Sequence, residues 1–161
     1  MFKRFILLPF IIFFVFIFLP SCTPDHDIFF MNEPMLEPQE NGVFELQHNL
    51  LAHDGKTQYI VPKGFLTDFA SIPRWLWPVF SPIDYKTISP AILHDYLYAC
   101  PNNLTRSQVD SIFYSSLIDN RVNPVVAYLY WIGVRLGGST HFTTGNHCAI
   151  ASKEYDQKIS S

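Results

Sequence analysis

Ser89-Pro90-Ala91-Ile92-Leu93-His94-Asp95-Tyr96-Leu97-Tyr98-Ala99-Cys100-Pro101-Asn102-Asn103-Leu104-Thr105-Arg106-Ser107-Gln108-Val109-Asp110 reads as the core of a helical hairpin. Ser89 is a suitable N-cap and Pro90 suits a first helical position, where the missing N–H costs nothing. This helix is expected to run to about Cys100, where Pro101-Asn102-Asn103 breaks it. Thr105 and Gln108 then have the spacing of a capping box: a hydroxyl at the N-cap and an amide three residues on. Val109, Ile112, Phe113, Ser116 and Leu117 follow at helical spacing. With the turn centred between Asn102 and Asn103, an antiparallel hairpin pairs residues whose numbers sum to about 205. That register puts Asp110 opposite Asp95 and close to His94.

Outward toward the C-terminus, a third helix is expected from Pro124 to about Leu136, ended by Gly137-Gly138. It is apolar nearly all round from Val125 to Val134, yet too short to span a bilayer, so it is expected to be the buried central helix. Outward toward the N-terminus, residues 42–51 have strand character, with Phe44 and Leu46 alternating with Glu45 and Gln47. His53-Asp54-Gly55-Lys56 is a turn, and residues 57–61 form the returning strand. Residues 65–80 are an aromatic-rich loop with Trp75 and Trp77, through which Pro73 lets no regular helix run. The class is therefore α+β: a small antiparallel hairpin or sheet followed by a three-helix part. The globular domain is placed at 42–138 and a C-terminal tail at 139–161.

The chain of 161 residues opens on Lys3 and Arg4, then 15 apolar residues from 5 to 19, interrupted only by Pro9. That length suits the apolar run of an export signal better than a membrane span. Leu19-Pro20-Ser21-Cys22 resembles a lipobox, in which the cysteine becomes lipidated and N-terminal. Residues 1–21 are thus read as a lipoprotein signal peptide, Cys22 as the site of acylation, palmitate included, and 22–41 as a proline-containing tether. An uncleaved anchor is the other reading of the same run, and both leave the domain exported and held at a membrane. Thr23 after the cysteine favours the periplasmic side of an outer membrane where one exists. Cleavage removes two of 11 basic and none of 14 acidic residues, taking the net charge from -3 to -5. A basic stripe for nucleic acid is missing from this balance, so no nucleic-acid partner is expected. Cys100 and Cys148 either pair in an oxidising compartment or remain thiols, and the sequence leaves both open.

On a helix His94 and Tyr98 are four residues apart and Asp95 and Tyr98 three, so these groups, with Asp110, are expected to form one polar cluster. Two readings follow. In one it is a satisfied buried network. In the other Asp110 orients His94 as a general base. Asp68, in the loop, is either an oxygen ligand for a hard cation or a brace for its own backbone.

The stretch Val61-Pro62-Lys63-Gly64-Phe65-Leu66-Thr67-Asp68-Phe69-Ala70-Ser71-Ile72-Pro73-Arg74, with His94-Asp95-Tyr96-Leu97-Tyr98, resembles the bacterial and phage family called domain of unknown function 1353. Arg106, Asp110, Phe113, Val134 and Arg135 continue the likeness, which covers about residues 43–138. It implies a small domain common in phage-derived genes and no stated activity. His94-Asp95-x-x-Tyr98 with Asp110-x-x-Phe113 is also similar to the helix pair of secreted phospholipases A2. That likeness implies His94 as base on a water, Asp95 as calcium ligand, and Tyr98 and Asp110 as braces. The glycine-rich calcium loop and dense disulfides of those enzymes have no counterpart here. The expectations are a tethered metal-dependent hydrolase using calcium or zinc, with Asp95 and Asp68 as ligands, or a non-catalytic envelope lipoprotein binding an envelope or phage protein, as an exclusion factor would. A third is a purely structural envelope component.

Overall fold

The computed structural model describes residues 27–69, 84–100, 102–142 and Cys148. Two antiparallel sheets of three strands precede three helices, an α+β arrangement. The strands are β1 (Phe29–Phe30), β2 (Leu36–Pro38), β3 (Phe44–Leu46), β4 (Leu50–His53), β5 (Gln58–Val61) and β6 (Leu66–Thr67). They pair in the orders β1-β4-β5 and β2-β3-β6. The helices are α1 (Tyr85–Ala99), α2 (Arg106–Asp119) and α3 (Pro124–Gly137).

The β4-β5 hairpin forms where Asp54-Gly55 allows it. Gly55 takes a φ of 83°, and Asp54 Oδ1 accepts from the N–H groups of Lys56 and Thr57 at 2.9 and 2.7 Å. Leu50 pairs with Val61 and Ala52 with Tyr59; Leu50, Ala52 and Val61 face the core. The strand expected over 42–51 is instead split at Gln47-His48-Asn49, because Leu46 and Leu50 enter different sheets. The stretch read as a tether carries structure from Ile28 onward. Ile28 is 1% exposed and its N–H donates to Asp119 at the end of α2 at 2.6 Å, while β1 and β2 add an edge strand to each sheet. Strands of two and three residues leave no periodicity to read.

Helix α1 begins earlier than Ser89-Pro90 suggested. Asp84 is its N-cap, accepting from Lys86 N–H at 3.1 Å. Pro90 therefore lies inside the helix, where its lost N–H would leave the Lys86 carbonyl without its usual donor. The Asn120 side chain supplies one from the end of α2, at 3.1 Å. The capping box of α2 is complete: Gln108 N–H donates to Thr105 Oγ1 at 3.3 Å, and Thr105 N–H donates to Gln108 Oε1 at 2.8 Å.

The central helix is α2, which packs against both α1 and α3. Helix α3 is not buried all round. Ala127, Tyr130, Gly133 and Val134 face inward, whereas Val125 and Leu136 are exposed. Its apolar composition outruns the one face available for burial. One core cluster joins the sheets to α1 through Leu46, Leu50, Val61, Phe65, Ile92 and Leu93. A second lies between α2 and α3, around Phe113, Leu117 and Tyr130. Cys100, just past α1, is disulfide-bonded to Cys148. Among the described residues, no helix is long and apolar enough to cross a membrane.

Candidate functional site

Helix geometry brings His94 and Tyr98 to one side of α1, one turn apart, and α2 presents Asp110 to both. His94 Nε2 lies 3.1 Å from Asp110 Oδ1, and the Tyr98 hydroxyl donates to the same oxygen. Arg135, in the last turn of α3, donates from Nη1 to Asp110 Oδ2 at 2.8 Å. Asp110 is 0% exposed, His94 3% and Tyr98 6%. The rings stack around the carboxylate: His94 is 4.1 Å from Tyr98 and 4.6 Å from Phe113, and Tyr98 meets Phe142 edge-on at 5.1 Å.

The charge state follows from this surrounding. Burial by itself would raise the Asp110 pKa. The hydrogen bonds from His94, Tyr98 and Arg135 outweigh it and hold the carboxyl below its usual value. An ionised carboxylate only accepts, so His94 Nε2 carries the proton in this contact. Burial pushes the Tyr98 phenol well up, and the Asp110 charge adds to it, so Tyr98 remains a donor.

Asp95 does not join this cluster. Successive helical residues diverge by about 100° around the axis, so Asp95 turns away from α2 and toward β6. There it accepts from Thr67 Oγ1 at 2.5 Å. Thr67 Oγ1 in turn accepts from Phe69 N–H at 3.2 Å. Phe69 has a φ of 55°, a conformation that bulky side chains rarely adopt, and is held there while buried at 3% exposure against the Phe44 ring. The expected single cluster is therefore two: His94, Tyr98, Asp110 and Arg135 on one side of α1, and Asp95 with Thr67 on the other.

Asp68 is exposed at the end of β6, beside Thr67. Asp68, His94 and Asp95 each make further interactions. Among the described residues, no group of three or more His, Cys, Asp or Glu side chains is placed to hold a metal ion. Cys22, Ser71, Arg74, Trp75 and Trp77 lie outside the described residues.

Three contributors carried no role in the sequence reading. Arg135 supplies the neutralising charge, signalled by its place in the family likeness and at a helix C-terminus but given no role there. Thr67 is the partner of Asp95. Gly138 leaves room for Tyr98: a Cβ there would lie 2.8 Å from the Tyr98 hydroxyl oxygen. A second arginine, Arg106, donates from Nη2 to the Arg135 carbonyl at 3.1 Å and so fastens α2 to the end of α3.

The family described as "Protein of unknown function (DUF1353)" matches residues 44–134, more than half of the chain and the span holding His94, Asp95, Tyr98 and Asp110. No curated protein and no solved structure matches it.

Proposed function

The chain belongs to the DUF1353 family, a membership that names no activity, and from the chemistry of its network we propose an exported, lipid-anchored envelope protein that works by binding a protein partner rather than by catalysis. The observation that carries this reading is the saturation of Asp110. Both its oxygens are taken by protein donors, and Arg135, reaching in from a partly exposed position, pairs with its charge. A carboxylate held by an arginine has less to lend an imidazole than one whose sole partner is the histidine. Burial with full satisfaction is what a fold-fixing network requires, and a partly satisfied one would be costly.

Export is supported by the signal-like residues 1–21, by Cys22, and by the Cys100–Cys148 bond, which persists in oxidising compartments. The partner is envelope- or phage-derived, in keeping with the phage-rich family resemblance. Trp75 and Trp77 are the anchoring side chains suggested by the sequence.

A metal-dependent hydrolase is the second reading, favoured by the His94–Asp110 contact itself. In it His94 would take the proton from water, and Asp95 with Asp68 would hold calcium or zinc. One comparison separates the two. Wild type, Cys22→Ala and His94→Ala are fractionated, melted with and without either cation, and offered phospholipid and cell-wall substrates. The binding reading expects wild type and His94→Ala at the membrane, Cys22→Ala released or unprocessed, no turnover, and a loss of about 1–3 kcal/mol for His94→Ala. Cation-dependent turnover that disappears in a normally stable His94→Ala protein would overturn it.

A further inference from the structure

The face of the β1-β4-β5 sheet turned away from the core carries exposed apolar side chains. Strand register fixes its members. Phe29 pairs with His53, Leu51 with Ile60, and Met31, next in register, donates its N–H to the Leu51 carbonyl at 2.9 Å. Side chains two residues apart share a face, so Phe29 and Met31 stand with Leu51, His53, Gln58 and Ile60, opposite the buried Leu50, Ala52 and Val61. Phe29 is 52% exposed, Met31 60% and Ile60 45%. None of these six side chains carries a fixed charge.

Where the chain enters the fold says what covers this face. Ile28 is buried and fastened to Asp119, and Phe29 follows it directly into β1. Only six residue-to-residue steps lead from Cys22 to Ile28, through five intervening residues. At about 3.3–3.6 Å per residue they reach roughly 20 Å at full extension. A domain of this size is roughly 35 Å across. An anchor that short cannot bring the far side of the domain to the bilayer; the side carrying β1 stays close to it.

We propose that this sheet face is a lipid-contacting surface, with Phe29, Met31 and Ile60 seated in the interfacial region of the bilayer that anchors Cys22. The inference rests on the anchoring reading above. Aromatic and thioether side chains suit that layer, which accepts apolar groups beside polar backbone. Because the face is uncharged and the processed chain is net acidic, the attraction is apolar, and zwitterionic lipid suffices. A bilayer-facing edge of this kind fixes the orientation of the domain and turns other surfaces outward to a partner.

The test uses the full chain reconstituted in phosphatidylcholine vesicles containing a small share of phosphatidylcholine with a diazirine near the glycerol. After flotation and illumination, lipid adducts are mapped by mass spectrometry. Adducts are expected on Phe29, Met31 and Ile60. The Phe29→Glu/Ile60→Glu double variant should still float, melt as the wild type does, and lose about tenfold or more of the adducts at this face. A floating wild type whose adducts avoid the face, or favour the exposed Tyr85, Val125 and Leu136, would overturn the proposal and leave the anchor standing. A chain-to-chain or protein cross-link through Phe29 or Ile60 in place of lipid would do the same. A wild type that does not float would remove the anchor and the proposal together.

Discussion

His94 and Asp95 are neighbours in sequence and belong to different constructions. His94 is 3% exposed and reaches Asp110 of α2, on which α1 converges through His94 and Tyr98 and α3 through Arg135. Asp95 is partly exposed and takes one hydroxyl from β6. The first is a buried carboxylate network whose arginine reaches in from the partly exposed end of α3; the second includes a charge-assisted bond at a partly exposed carboxylate. One dipeptide thus ties α1 to the other helices on one side and to a sheet on the other. The two ties should differ in strength, because buried donors left without an acceptor cost more than a lost bond at a wet margin.

The largest effect should come from Asp110→Ala. It leaves the buried His94 ring N–H and Tyr98 hydroxyl without their acceptor, while the partly exposed Arg135 guanidinium turns to water, and should cost about 2–4 kcal/mol in denaturant unfolding. Acid sharpens the point. The folded Asp110 carboxyl titrates below its unfolded counterpart, so its contribution is fully present above the unfolded value, near pH 4. It is lost as pH falls through the lower folded value. The stability gap between wild type and Asp110→Ala should therefore close on acidification below about pH 4, and a gap constant to pH 2 would detach the network from stability.

Gly138→Ala probes the same network by space. The new methyl would meet the Tyr98 hydroxyl oxygen at 2.8 Å and Cε1 at 3.1 Å, and Tyr98 cannot swing away without leaving Asp110. A loss of about 1–3 kcal/mol is expected. A double-mutant cycle with Tyr98→Phe should show coupling between the two, whereas additive losses would mean that Gly138 acts elsewhere. The smallest effect belongs to the other tie. Thr67→Val removes the hydroxyl from Asp95, which water can replace, and the acceptor of the Phe69 N–H, and should cost about 1–2 kcal/mol. A loss as large as that of Asp110→Ala would erase the distinction between the two sides of α1.

Legibility followed the range of the interaction. The Thr105–Gln108 capping box and the Asp54-Gly55 turn are complete within four residues, and both formed as their spacing implied. The helical-hairpin register also put Asp110 beside His94. It failed for Asp95, because facing residue numbers specify height along a helix and not direction around it. Ser89-Pro90 looked like a helix start since nothing nearby reveals that Asn120, thirty residues on, provides for the Lys86 carbonyl. The roles of Arg135 and Gly138 are tertiary: each depends on where α3 ends relative to Tyr98. The exposed flank of α3 escaped for the converse reason, an apolar composition without a second layer to bury it.

The Cys100–Cys148 bond makes residues 100–148 a closed covalent ring, with α2 and α3 strung along it and α1 as the stalk from which it departs. Asp110 and Arg135 ride on the ring, while His94 and Tyr98 stand on the stalk just before it closes. Closing a ring of this size removes roughly 4 kcal/mol of chain entropy from the unfolded state. Even when the helices come apart, the ring confines the carboxylate and its guanidinium partner near the histidine and tyrosine they must find again. A nick inside the ring would leave both pieces joined in one molecule. The linear thread thus becomes, once oxidised, a lasso whose knot is tied at the foot of the buried network.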